Sequence, residues 1–186
     1  YAEVLGTAVE LEVFTLLDPR GKTAGEIAGA RGCSPEGLER LLQALCALGL
    51  TERVGEVYVN TKISEDFLVK GKKDYQGEVV LWRKHLNSYW QGLGECLKAG
   101  GRVAYPSGED QDQMARRVRQ YLRAMDGVAR VKIQEILPLF EGISPAGEIL
   151  DVGGGSGAIS AGFLERFPSL RATLLDLPGV LDHAEE

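Results

Sequence analysis

A glycine-rich stretch carries the clearest chemical signal in the sequence. It reads Asp-Val-Gly-Gly-Gly-Ser-Gly, in which Asp151 precedes glycines at alternate positions, Gly153, Gly155 and Gly157. Glycine allows a sharp backbone turn and lets a ligand approach the main chain closely. Asp176 comes 19 residues after the last of these glycines, at a spacing that suits a carboxylate accepting hydrogen bonds from a ribose diol. Together these residues predict a site for a nucleoside-containing cofactor.

The spacing of the glycines distinguishes between two cofactor classes. A dinucleotide fingerprint reads Gly-x-Gly-x-x-Gly and directs a helix N-terminus at a pyrophosphate. Here the third glycine comes one residue too early for that fingerprint, and Asp151 would repel a pyrophosphate. The same carboxylate suits an amino group and a sulfonium. The pattern therefore favours S-adenosylmethionine (SAM), with an NAD-binding oxidoreductase as an alternative.

Alternating strand and helix patterns surround this motif. The spacing predicts a strand over Glu148–Val152, then a helix that ends near Phe167, then a second strand over Arg171–Leu175. Two longer helical patterns precede them, over residues 75–99 and 113–140, separated by a predicted loop at residues 103–112. This order predicts the start of an α/β Rossmann-like domain behind a helical connector.

The N-terminal third has the pattern of a winged helix. Apolar residues recur at helical spacing from Tyr1 to about Leu17. Thr23–Glu26 matches a capping box that opens a short helix, and Ser34–Leu48 begins with the residues preferred at an N-cap and a first helical position. Two β-type runs, Thr51–Val54 and Val57–Asn60, form a wing. The order helix, turn, helix and hairpin makes a DNA-binding regulator a second alternative.

Charge argues against that alternative. The net charge of −6 lies wholly in residues 141–186, and residues 1–140 carry equal numbers of acidic and basic side chains. The middle of the second winged-helix helix offers Glu36, Glu39, Arg40 and Gln43, with Leu and Ala at most other positions. A recognition helix needs cationic and amide side chains directed at bases and phosphates. We therefore expect no nucleic-acid partner.

Five segments together resemble one family. The segments that carry the resemblance are Asp151–Gly157, Leu175–Val180, Trp90–Leu93 with the later Gly100-Gly101, Tyr121–Met125, and Ile136-Leu137 eleven residues after Met125. They are similar to the motifs of class I SAM-dependent O-methyltransferases of the caffeic acid and acetylserotonin type. The resemblance covers the whole chain.

The resemblance implies a domain plan and a reaction. It implies a winged-helix dimerisation domain over residues 1–66, a helical connector over 67–143, and the first β-α-β part of a SAM-binding domain over 144–186. The implied enzyme is a homodimer that transfers a methyl group to a hydroxyl of a small aromatic acceptor. SAM would be held by Asp151, Gly153, Gly155, Gly157 and Asp176.

The family's catalytic His base and the rest of its sheet correspond to positions beyond residue 186. We therefore expect these residues to be the N-terminal part of a longer enzyme, and to be inactive alone. His183 does not match the family's His motif and is expected to be a solvated helix residue.

Remaining candidate residues have simpler interpretations. Trp90, Tyr121 and Met125 could contact an aromatic acceptor, although apolar residues at helical spacing more often belong to a core. Cys33, Cys46 and Cys96 lie far apart and in odd number, and the chain has two His. These facts predict neither a disulfide framework nor a metal site, and they indicate a cytoplasmic protein. No apolar run approaches the roughly 18 to 20 residues of a membrane helix.

Overall fold

The computed structural model describes residues 1–101, 110–143 and 145–184, which divide into two compact units. The N-terminal unit comprises residues 1–91 and the C-terminal unit residues 92–186. The domain boundaries expected after residues 66 and 143 stay predictions. Within the predicted loop at 103–112, residues 103–109 lie outside the described residues. Its last two residues, Gln111 and Asp112, belong to a helix.

The N-terminal unit contains six helices and one hairpin among its residues. They are α1 (Ala2–Glu10), α2 (Val13–Leu16), α3 (Ala24–Arg31), α4 (Pro35–Ala47), β1 (Thr51–Val54), β2 (Val57–Asn60), α5 (Lys62–Phe67) and α6 (Gly77–Trp90). The capping box is formed, because Thr23 accepts from the amide of Glu26 and the Glu26 side chain accepts from the amide of Thr23. Ser34 caps α4 through the amide of Gly37. The winged-helix prediction is confirmed.

The first predicted helix is interrupted in the structure. α1 ends at Glu10, and Glu12 adopts a left-handed conformation with φ of 49° before α2 begins. This conformation is uncommon for a residue with a side chain. The Glu12 carboxylate contacts Arg31 of α3 and the ammonium of Lys70 at 3.0 Å. The break thus coincides with ionic contacts to residues that are distant in the sequence, and the spacing of apolar residues does not reveal such contacts.

The core of the N-terminal unit lies between its helices and the hairpin. Its fully buried side chains include Val13, Phe14, Ile27, Leu42, Leu45 and Tyr58. α6 packs against α1, where the Lys84 ammonium donates to the Thr7 hydroxyl at 3.1 Å and to Glu10 at 2.6 Å. α5, which the sequence patterns did not predict, packs beside β2. This unit therefore has a core of its own.

The C-terminal unit begins with helices and continues with parallel strands. Its elements are α7 (Leu93–Ala99), α8 (Gln111–Ile136), a 3₁₀ helix (Leu137–Phe140), β3 (Gly147–Val152), α9 (Ala158–Arg166), β4 (Leu170–Leu175) and α10 (Pro178–Ala184). The predicted helix over 75–99 is broken at residues 91–92. Both predicted strands are present, each extended by one residue at its start. β3 and β4 pair in parallel.

Helix α9 packs on β4 and on α8. The α8–α9 crossing is close, because a Cβ added at Gly162 would overlap the Ile133 side chain. The Phe140 and Phe163 rings meet edge to face with centroids 5.1 Å apart. The parallel β-α-β unit behind a helical segment confirms the predicted fold class, a mostly α winged-helix part followed by the start of a Rossmann-like domain.

Tyr58 provides a test of the N-terminal core. Its ring is 1% exposed, and its hydroxyl donates to Glu39 at 2.6 Å. Burial, together with this hydrogen bond, raises the pKa of Tyr58 to about 12. Because the unfolded chain loses this proton near pH 10, Tyr58 contributes stability below pH 10 that is lost as the pH rises toward 12.

We expect Tyr58→Phe to remove this part of the alkaline destabilisation. Urea unfolding between pH 8 and 11.5 should give a stability gap between wild type and variant that narrows above pH 10. Tyr1→Phe is the matched control, since Tyr1 is 78% exposed and its loss should leave the wild-type profile unchanged. A gap that stays constant across this range would contradict the assignment.

Candidate cofactor-binding site

The candidate site lies where the two parallel strands end. In the pairing of β3 with β4, Asp151 is opposite Leu174 and Val152 is opposite Leu175. Since both strands run in the same direction, the residues that follow them emerge at the same edge of the sheet. The glycine-rich turn after β3 and Asp176 after β4 are therefore neighbours.

Backbone amides hold the Asp176 carboxylate in place. Its Oδ2 accepts from the Gly155 amide at 2.9 Å, and its Oδ1 accepts from the Leu177 amide at 2.7 Å. The Gly153 amide donates to the Leu175 carbonyl at 2.7 Å, which anchors the start of the turn. A carboxylate offers about four acceptor positions, so Asp176 keeps capacity for further donors.

The glycines of the turn serve two different purposes. Gly153, Gly155 and Gly157 have φ of 73°, 59° and 75°, in the left-handed region that favours glycine. Gly154 was not among the predicted site residues, yet it is the most crowded of the four. A Cβ there would overlap the Leu174 side chain and lie 2.7 Å from Cγ of Asp151. The uninterrupted run of three glycines was the sequence signal for this close packing.

Asp151 lies half-buried beside the turn. Its Oδ2 accepts a hydrogen bond of 2.6 Å from the hydroxyl of Ser160, which lies in the first turn of α9 and is 7% exposed. Within the described part of the chain, Oδ1 of Asp151 has no hydrogen-bond partner. Sequence patterns did not single out Ser160, because one serine in a helix carries no local signal of a contact made nine residues away.

Helix α8 also contacts the turn. The Ser156 hydroxyl donates to Oδ1 of Asp126 at 3.0 Å, and Nε of Arg130 donates to Oδ2 at 2.7 Å. This hydrogen bond with the carboxylate raises the pKa of Arg130 above its usual range. Leu122, one helical turn before Asp126, lies 3.9 Å from the position of a Cβ on Gly155. Neither Asp126 nor Ser156 was identified from the sequence as a site residue.

The structure brings together some of the predicted site residues. Asp151, the three glycines and Asp176 converge at one edge of the sheet. Tyr121 and Met125 lie one turn apart on α8, where Tyr121 is 44% exposed and Met125 half-buried. Trp90 is the last residue of α6 in the N-terminal unit and is 68% exposed. Their contact with an acceptor stays a prediction.

Other predicted features concern metals, thiols and membranes. No group of three or more His, Cys, Asp and Glu side chains in the described ranges is arranged to hold a metal ion. Cys33, Cys46 and Cys96 are half-buried free thiols. None of the described helices is both long and apolar enough to cross a bilayer. The side chain of His183 lies outside the described residues.

Comparisons with known proteins identify the family. The sequence-family model of the O-methyltransferase dimerisation domain matches residues 1–70. The sequence-family model of the O-methyltransferase domain matches residues 84–186. Acetylserotonin O-methyltransferase of Bos taurus is 33% identical over 99% of this chain. The Tetracenomycin polyketide synthesis 8-O-methyl transferase TcmO of Streptomyces glaucescens is also 33% identical, over 95% of this chain.

A solved structure agrees with these relatives. Human N-acetylserotonin methyltransferase in complex with SAM superimposes with a TM-score of 0.84 and 26% identity, over 99% of this chain and 57% of its own. The chain spans 57% of the bovine enzyme and 53% of TcmO. Because the methyltransferase-domain model covers more than half of the residues, the chain belongs to the O-methyltransferase family.

Proposed function

We propose that the protein transfers the methyl group of SAM to a hydroxyl of a small aromatic acceptor. The observation that carries this proposal is the meeting of the Asp151 turn with Asp176 at the carboxyl ends of β3 and β4. Ligands of open α/β sheets bind at this edge. The relatives include named O-methyltransferases, and the human N-acetylserotonin methyltransferase that this chain resembles in structure was solved in complex with SAM.

The residues at this edge fit SAM. Asp176 is oriented by two amides and retains acceptor capacity for the ribose hydroxyls. Oδ1 of Asp151 has no partner among the described residues and suits the cationic amino group of the methionine end. Gly153 and Gly155 place backbone without side chains beside these two carboxylates, so a ligand can approach closely.

This chain's contribution to the reaction is binding and alignment. Bound SAM supplies a methyl group activated by a positively charged sulfur. The residues around the turn would hold the nucleoside and methionine ends so that the acceptor oxygen can meet the methyl group in line. The transfer also needs a base that receives the hydroxyl proton, and the family resemblance implies a His in that role.

Acceptor contacts and location belong to the same proposal. Tyr121, Met125 and Trp90 are the residues we propose for contact with an aromatic acceptor, and Tyr121 and Trp90 expose enough surface to pack against a ring. A cytoplasmic location and the absence of nucleic-acid and membrane partners stay predictions from the sequence.

We also propose that the protein is a homodimer through its N-terminal region. Residues 1–70 match a dimerisation domain. This region has its own core, yet some of its large apolar side chains are exposed. They are Tyr1, Val54, Ile63 and Phe67. Apolar side chains that gather in one surface patch are used at contacts between proteins, and the match to a dimerisation domain is the observation that supports this proposal.

The role of Asp176 is tested by pairing a protein change with a ligand change. In isothermal titration, Asp176→Ala should weaken binding of S-adenosylhomocysteine about tenfold or more, since a hydrogen bond to a charged group contributes roughly 1.5–3 kcal/mol. The 2′-deoxy analogue should bind wild type markedly more weakly than the parent ligand, whereas the variant should distinguish little between the two.

Asp182→Ala is the matched control, because Asp182 is an exposed aspartate of the same unit. Equal discrimination between the two ligands by wild type and Asp176→Ala would refute the ribose assignment. Titrations with NAD and duplex DNA separate the rival classes. NAD binding without binding of either sulfur ligand would overturn the methyltransferase proposal.

Gly154 tests the close packing of the turn. We expect Gly154→Ala to weaken S-adenosylhomocysteine binding at least about tenfold and to lower stability by about 1–3 kcal/mol, because the new Cβ would overlap Leu174. Gly94→Ala is the control, since a Cβ there would meet nothing within 4 Å apart from neighbouring backbone of its own helix. Titration and thermal unfolding report the two effects, and wild-type values for Gly154→Ala would contradict the packing described above.

The dimer proposal is tested by sedimentation. Analytical ultracentrifugation at micromolar concentration should give twice the mass of one chain. Ile63→Glu should shift the equilibrium toward monomer, since Ile63 is 61% exposed on α5 and a charge would be costly to bury. A monomeric wild-type protein would refute the proposal.

A further inference from the structure

The glycine-rich turn is anchored at three points, and the third comes from outside the β-α-β unit. Gly153 and Gly155 bond to the end of β4 and to Asp176. Ser156 instead bonds to Asp126 of α8, which precedes it by 30 residues in the chain. The position of the turn therefore depends on a side chain of α8.

Asp126 is itself held in place. One carboxylate oxygen accepts from Ser156 at 3.0 Å and the other from Arg130 at 2.7 Å. The Asp126 side chain is 27% exposed, whereas that of Arg130 is 59% exposed. The cation thus orients the carboxylate from the solvent side, and the opposite oxygen is directed at the turn.

A second residue of α8 lies beside the same turn. Leu122 is 6% exposed and lies 3.9 Å from the Cβ position of Gly155. Because residues four apart share one side of a helix, Leu122 and Asp126 lie on the side of α8 that faces the turn. The amide of Gly155 is one of the two donors that orient Asp176, so a shift of the turn would also disturb that carboxylate.

We propose that Asp126 is a positioning residue for SAM, which acts by holding Ser156 and thereby the turn that orients Asp176. This inference rests on the proposed function. Ser156→Ala and Asp126→Ala should each weaken S-adenosylhomocysteine binding about five- to tenfold. The double variant should bind no more weakly than Asp126→Ala, because both changes break the same link.

A conservative variant separates positioning from general stability. Asp126→Asn keeps an oxygen that can accept from Ser156 and should bind within about twofold of wild type. Glu135→Ala is the matched control, since Glu135 is another α8 carboxylate that pairs with a cation, Lys132 at 2.7 Å. It should leave affinity unchanged. Titration calorimetry and thermal unfolding are measured on the intact protein for every variant.

The outcomes distinguish the inference from the proposed function. If the wild-type protein binds S-adenosylhomocysteine and both Ser156→Ala and Asp126→Ala bind it with unchanged affinity, the inference is overturned and the proposed function is not. This holds whether or not the variants have a lower melting temperature. Additive losses in the double variant, or an Asp126→Asn as weak as Asp126→Ala, also overturn it. A wild-type protein that binds neither SAM nor S-adenosylhomocysteine overturns the proposed function and this inference with it.

Discussion

The parallel pairing of β3 with β4 is the constraint on which the candidate site depends. Six residue pairs join the strands, from Gly147 opposite Leu170 to Val152 opposite Leu175. Successive side chains of a strand point to opposite faces, so a slip of one residue would exchange the covered and the exposed faces. With the observed pairing, Asp151 and Leu174 lie opposite each other, and the two strand ends place both carboxylates at one edge.

Glycines let the elements around these two strands pack closely. Gly154 admits the Leu174 side chain beneath the turn, and Gly162 admits Ile133 between α9 and α8. A methyl group at either position would overlap a neighbour, and protein interiors have little free volume to absorb it. The site is thus supported from below by the sheet and from the side by α8.

Local signals in the sequence were sufficient for most elements. The capping box at Thr23 and the Ser-Pro start of α4 each define the start of a helix, and the glycines after β3 define the end of that strand. Each of these signals depends only on neighbouring residues. The break at Glu12 was not predicted, because its carboxylate contacts Arg31 and Lys70, which lie distant in sequence. Tertiary contacts override helical spacing in such cases.

The same distinction applies to the site. Asp151, the glycines and Asp176 form a pattern of fixed spacing, which is visible without a structure. Ser160 and Asp126 act through hydrogen bonds to residues 9 and 30 positions away, and each is an ordinary polar residue of a helix. Nothing in their immediate neighbours distinguishes them from solvated side chains.

The position of Asp151 gives the site its electrostatic character. In a dinucleotide site the ligand's pyrophosphate supplies the negative charge at the helix N-terminus. Here Asp151 bonds to Ser160 in the first turn of α9, so a protein carboxylate already lies at the positive end of that helix dipole. In the proposed binding mode, the carboxylates of Asp151 and Asp176 would attract a cation and accept hydrogen bonds from hydroxyl groups, which favours a sulfonium and a ribose over a phosphate.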